Sequence, residues 1–187
     1  FIFYFLNKVA ELLRQSFSGN ETEVHEAEQI LLNMDISCDF VTTLFDIIKS
    51  ENMDVPIKYS ALIRLKQIVA QNWLVSLNAD VKSLIFTNFF EILYSVGPSY
   101  NKLFQLFSNI IIDRLIILNE CPDLFSLIQL DPEHQFPSLI LLKSIAHHFK
   151  HKKIDENPLY EQFCNFFIQS TFQLFLDSQS YSEILLI

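Results

Sequence analysis

Asp54-Val-Pro-Ile-Lys-Tyr-Ser-Ala-Leu-Ile-Arg-Leu-Lys-Gln-Ile-Val-Ala-Gln-Asn72-Trp73 decides the fold. Asp54 stands where a helix cap belongs. Pro56 falls in the first turn, where its missing N–H leaves no hydrogen bond unmade. Ala61, Leu62, Leu65, Ile68 and Val69 then recur at helical spacing as far as about Asn72. This is a helix with one apolar stripe, and such a stripe must be covered by another element.

The same pattern extends in both directions. Upstream, a first helix from about Phe3 to Ser16 carries Leu6, Val9, Leu12 and Leu13 on one face and stops at Gly19. Asn20 caps a second helix, with Glu23 three residues on and Glu21, Glu26 and Glu28 crowding its first turns; its stripe is Val24, Ala27, Leu31 and Met34. Ser37 caps a third helix to about Ser50, carrying Phe40, Leu44, Ile47 and Ile48. Downstream, a fifth helix spans Asp80 to Val96 and ends at Gly97, and a sixth opens at Pro98-Ser99 and reaches about Asn119. Cys121-Pro122-Asp123 restarts the chain for a short seventh helix ended by Asp131-Pro132. An eighth runs from about Phe136 to Lys150, a ninth from Pro158 to Leu176, and Tyr181 onward starts another.

Helices joined by short turns pack as antiparallel hairpins. The second members begin near residues 21, 54, 98, 136 and 180, a period of roughly 33 to 45 residues that belongs to helical-hairpin arrays. One hairpin cannot bury its own apolar face, so stacked hairpins share a long core. The expected architecture is all-α, a solenoid of about four and a half hairpins forming a single domain over residues 1–187.

Composition narrows the function. With 2 Gly among 187 residues, Gly-rich phosphate loops and dinucleotide fingerprints have no material. The 13 basic against 22 acidic residues give a net charge of −9, which disfavours nucleic acid and fits a basic protein partner. Apolar stretches such as Gln162 to Leu176 are broken by Asn, Gln, Ser and Thr, so no membrane insertion is expected. Phe1 to Leu6 is apolar like a signal-peptide core, yet it lacks a basic leader and a small-residue cleavage site, and periodicity places it in the first helix. The chain starts without Met and stops in Ile184-Leu-Leu-Ile187, which reads as a fragment of something longer.

Catalytic signals are missing. Cys38, Cys121 and Cys164 form no CxxC pair, and there is no Gly-x-Ser-x-Gly, His-Glu-x-x-His or P-loop, so neither an enzyme nor a cofactor is expected. His147, His148 and His151 cluster in His-His-Phe-Lys-His-Lys-Lys, but no carboxylate or cysteine stands at ligand spacing to complete a metal site. Cations near a helix C-terminus need no such role.

Ala27-Glu28, Leu31 or Leu32, Phe40, Leu44, Ile47, Ile57-Lys58, Ala61, Ile63-Arg64-Leu65-Lys66-Gln67-Ile68 and Trp73 together resemble the N-terminal domain of the importin-β, or karyopherin-β, family. That family's pattern has Ala-Glu followed by leucine, a spaced Phe and paired leucines, then a helix containing Leu-Lys-Asn that ends near Trp. Gln67 stands where the family usually has Asn, and Lys58 where Arg is common. The stretch Ile140 to Leu159 also looks like the helix and basic-to-acidic loop of the branch that includes importin seven and importin eight.

The resemblance implies a right-handed α-solenoid of HEAT repeats, with an importin-β N-terminal-like region at about 21–96 and further HEAT repeats at about 97–187. It implies a nuclear transport receptor shuttling between cytoplasm and nucleus, with the GTPase Ran in its GTP form, basic cargo proteins and, through other repeats, FG nucleoporins as partners. Placing the even-numbered helices on the concave face puts Glu28, Lys58, Lys66 and Gln67 near the implied Ran-facing strip. Trp73 is expected as a packing anchor between the second and third repeats. A HEAT scaffold without Ran dependence, or an exportin of the same superfamily, shares these features.

Overall fold

The computed structural model describes residues 2–95, 101–118, 125, 128, 134–150 and 158–177. Among them are eight α-helices and no strand: α1 (Ile2–Gln15), α2 (Glu21–Asn33), α3 (Cys38–Lys49), α4 (Val55–Asn72), α5 (Ala79–Ser95), α6 (Asn101–Leu118), α7 (Gln135–Lys150) and α8 (Pro158–Asp177). The expected helix end at Gly97, the opening at Pro98-Ser99, the loop from His151 to Asn157 and the helix from Tyr181 lie outside the described residues. Of the short helix expected after Cys121-Pro122-Asp123, Phe125 and Ile128 are described, and the Ile128 N–H donates to the Phe125 carbonyl at 3.2 Å.

Local chemistry sets most of the boundaries. The Asn20 side chain accepts from Thr22 N–H at 3.1 Å, and Glu23 locks that cap by accepting from Asn20 Nδ2 and from Ser18 Oγ. Ser37 Oγ accepts from Phe40 N–H at 3.3 Å to open α3. Two expectations are corrected. Asp54 occupies the cap position of α4, but only its carbonyl takes part, accepting from Ile57 and Lys58 N–H; its carboxylate makes no cap bond. Gly19 lies in the turn after α1 without a left-handed backbone, and a Cβ there would meet nothing within 4 Å, so helix termination does not depend on glycine. For α5, Asn78 Oδ1 accepts from Val81 N–H at 2.9 Å, so the cap lies ahead of Asp80.

The chain divides into two compact units, Phe1–Leu103 and Phe104–Ile187. In the first, α1 packs on α2, α3 and α4, while α3 packs on α4 and α5. The core is α3: Phe40, Val41, Leu44, Phe45, Ile47 and Ile48 are all at most 3% exposed. Those residues lie on more than one face of the helix, so α3 needs cover from several sides. Burying each such side chain contributes roughly 1.5–3 kcal/mol relative to exposure. Thr43, also buried, returns its hydroxyl proton to the Asp39 carbonyl at 2.8 Å. At the end of α3, Lys49 reaches Asn88 Oδ1 at 2.9 Å and Glu91 Oε2 at 2.7 Å, fixing the register of α5. Glu91 is largely exposed, so that ion pair contributes less than about 1 kcal/mol.

In the second unit α7 packs on α8. Phe149 of α7 meets Tyr160 and Phe163 of α8 with ring centroids 5.3 Å apart in both cases, and Phe125 lies 5.4 Å from Phe166. The phenylalanines of α5, α6 and α8 differ in burial. Phe89, Phe107 and Phe163 are buried, whereas Phe86, Phe90, Phe166 and Phe167 are half-buried, because neighbouring helices cover only part of each α5 and α8 circumference; the side chains of Phe104, Phe172 and Phe175 lie outside the described set.

Leu44→Ala should lower unfolding stability by about 2–5 kcal/mol in urea titrations, as for other fully buried leucines. Val75→Ala, at an 85% exposed position, should change it by less than about 0.5 kcal/mol.

Candidate functional site

A cavity of about 140 Å³ opens between α2 and α4, closed on one side by the end of α1. Glu28, Leu31 and Leu32 line it from α2, Ser60, Ile63, Arg64 and Gln67 from α4, and Leu13 and Ser16 from α1 and the turn after it. Helical periodicity produces this grouping. Ile63 and Arg64 lie three and four residues after Ser60, with Gln67 three after Arg64, and Leu31 and Leu32 lie three and four after Glu28.

Arg64 is the dominant group. It sits four residues after Ser60 and four before Ile68, inside the buried face of α4, and is only 6% exposed. One guanidinium nitrogen donates to the Leu31 carbonyl at 2.9 Å, and another donates to Gln67 Oε1 at 3.4 Å. Leu31 is in the last turn of α2, whose carbonyls have no partner within the helix. Arg64 therefore caps the negative end of α2 from the neighbouring hairpin. Its Nε has no hydrogen-bond partner, and no carboxylate among the described residues lies within ion-pair distance. Burial lowers the Arg64 pKa, yet a guanidinium starts so high that it stays charged.

The serines complete the polar wall. Ser16 Oγ donates to the Leu13 carbonyl at 2.8 Å, so the 3.0 Å contact between Ser16 Oγ and Ser60 Oγ uses the Ser60 proton. Both hydroxyl protons are thus committed. The donors left to the cavity are the guanidinium and the Gln67 amide nitrogen, whose oxygen faces Arg64. Leu32 and Ile63 are 50% and 37% exposed and line the same opening.

Of the site residues expected from sequence, Glu28 and Gln67 meet at this cavity, while Lys58 and Lys66 do not line it. Adjacent residues on an α-helix point about 100° apart, so Lys66 and Gln67 face differently. Lys58 and Lys66 are both half-buried. Trp73 is 2% exposed at the end of α4, and Lys82 Nζ of α5 lies 5.5 Å from its ring centroid. Glu21, Glu26 and Glu28 are exposed on α2, and Glu23 is engaged in the cap described above. Arg64 was visible as a cation in step with buried positions, a signal that a polarity-based choice of site residues passes over.

The histidines separate. His148 is buried on α7 and its Nδ1 meets Asp113 Oδ1 of α6 at 2.5 Å, whereas His147 is exposed; His151 lies outside the described residues. No group of three His, Cys, Asp or Glu residues placed to hold a metal occurs among the described residues. Cys38 and Cys164 are free thiols, and no described helix is long and apolar enough to cross a membrane. A scan against protein-family models finds no match, and a search of curated proteins finds no matching relative.

Replacing a buried cation by an apolar side chain of similar length removes its desolvation penalty together with its hydrogen bonds. Arg64→Met should therefore change unfolding stability by about 1 kcal/mol or less. Arg64→Ala, which also opens a cavity, should cost about 2–4 kcal/mol in the same urea titration.

Proposed function

We propose that this chain is a HEAT-repeat portion of an importin-β-like nuclear transport receptor, and that α2 and α4 carry its contacts to Ran in the GTP form. The observation that carries this reading is where the resemblance falls in the fold. Ala27, Leu31, Phe40, Leu44, Ile47, Ala61, Leu65, Ile68 and Trp73 are each at most 5% exposed. The apolar positions shared with the family pattern are thus largely core, whereas Glu28, Ile63 and Gln67 of the same pattern are exposed and Lys58 and Lys66 half-buried.

The packing order supports a hairpin array. Each of α1 and α3 packs on the helix that follows it and on the next odd-numbered helix, and α1 packs on α4 as well. In such an array the odd helices form one layer and the even helices the other, leaving an open face on α2 and α4 for a partner. Glu28 and Gln67 are exposed there. The acidic balance favours basic cargo through long-range attraction, and Ran and cargo would favour different curvatures of one flexible solenoid. In this reading the receptor shuttles between cytoplasm and nucleus, with FG nucleoporins bound by other repeats.

A pull-down of the folded chain against Ran loaded with GTP or GDP tests this directly. Retention of the GTP form alone is expected; equal retention of both indicates a scaffold without Ran dependence, and absence of both removes the proposal. Lys66→Glu should weaken the GTP-form interaction about five- to tenfold, consistent with loss of roughly 1 kcal/mol and added repulsion, while the helical circular dichroism stays unchanged.

A further inference from the structure

We infer that the cavity between α2 and α4 is a recognition pocket for a carboxylate, presented by an acidic residue between apolar side chains in a segment of a protein partner. Any protein carrying such a segment qualifies, whether or not the chain serves in transport. Charge carries the assignment first. Arg64 is more than nine-tenths buried, permanently charged and lacks a carboxylate partner among the described residues. A cation removed from water without a counter-ion is costly, by several kcal/mol for an isolated ion. The Leu31 carbonyl and the Gln67 amide oxygen offset part of that with dipoles, not with a full negative charge.

Preorganisation adds to charge. The desolvation of Arg64 is already incurred on folding, so a docking carboxylate contributes only its own dehydration and gains a charge-assisted hydrogen bond in a sheltered site. The Gln67 amide nitrogen offers a second donor beside it. Shape and polarity then select what carries the carboxylate. Leu32 and Ile63 stand partly exposed at the opening with Leu31 and Leu13 behind them, so flanking apolar side chains have surface to cover. A strongly hydrated free anion gains nothing from that rim.

Glu28 lines the same cavity and opposes an incoming anion. Being exposed and outside ion-pair distance of Arg64, it lowers the affinity without neutralising the guanidinium. Its replacement by the uncharged isostere is therefore the informative variant, since the change lies on a solvated helix surface and leaves the core untouched.

The test is a titration of the 187-residue chain, labelled with ¹⁵N, with the blocked peptide Ac-Leu-Glu-Leu-NH₂, following the Arg64 Nε–H and the Leu32 and Ile63 amide resonances. Saturable shifts at all three are expected with the Glu peptide, and none with Ac-Leu-Gln-Leu-NH₂ or inorganic phosphate at the same concentrations. Glu28→Gln should tighten binding by about two- to fivefold, the size of a solvent-screened charge interaction. No saturable shift, or equal shifts from the Gln peptide, overturns the pocket. Equal shifts from phosphate overturn its selectivity for a carboxylate on an apolar segment, and unchanged affinity in Glu28→Gln overturns the electrostatic account.

Discussion

The first unit depends on enclosing α3. A helix that is apolar around most of its circumference has no stable solvated state, and here it is covered by α1, α4 and α5 together. That requirement sets the arrangement of its neighbours. Once α1 and α5 flank α3 and α4 closes it, α2 packs on α1, and its last turn comes within reach of α4. The cavity and its buried arginine follow from this order of packing. Lys49, tied to Asn88 and Glu91, holds the far side of α3 in register against α5.

Arg64 is a buried cation that the fold holds with a backbone carbonyl and an amide oxygen. Its hydrogen bond to Leu31 satisfies an orphan carbonyl and ties α4 to the end of α2, which favours this relative placement of the helices. An apolar residue of equal length would fill the space without burying a charge. The arginine therefore specifies a geometry and an electrostatic character more than it strengthens the core.

Most of the helices were legible from spacing alone. Val9, Leu12 and Leu13, then Leu44, Ile47 and Ile48, then Leu62, Leu65 and Ile68 are buried where the periodic pattern puts them. The caps at Asn20 and Ser37 were legible because both side chains bond locally to backbone N–H groups. Asp54 and Asn78 were less so. The choice of a side chain or a carbonyl to meet the first N–H groups depends on rotamers that composition does not encode. The candidate site was only half legible for a related reason. Glu28 and Gln67 came from the family resemblance with the even-numbered helices placed on one face, while Arg64 belongs to a buried stripe and bonds to a carbonyl 33 residues away in sequence. Likewise, the pairing of His148 with Asp113 across 35 residues separates it from its neighbour His147, which sequence alone groups with it.

In the proposed reading a protein partner docks on α2 and α4, while the odd-numbered helices stack on one another. Hydrogen–deuterium exchange of the chain with and without GTP-loaded Ran tests that division of labour most directly. The account predicts slowed exchange in α2 and α4 with α1 and α3 unchanged. Slowed exchange confined to α1 and α3, or no change in any helix, would contradict it.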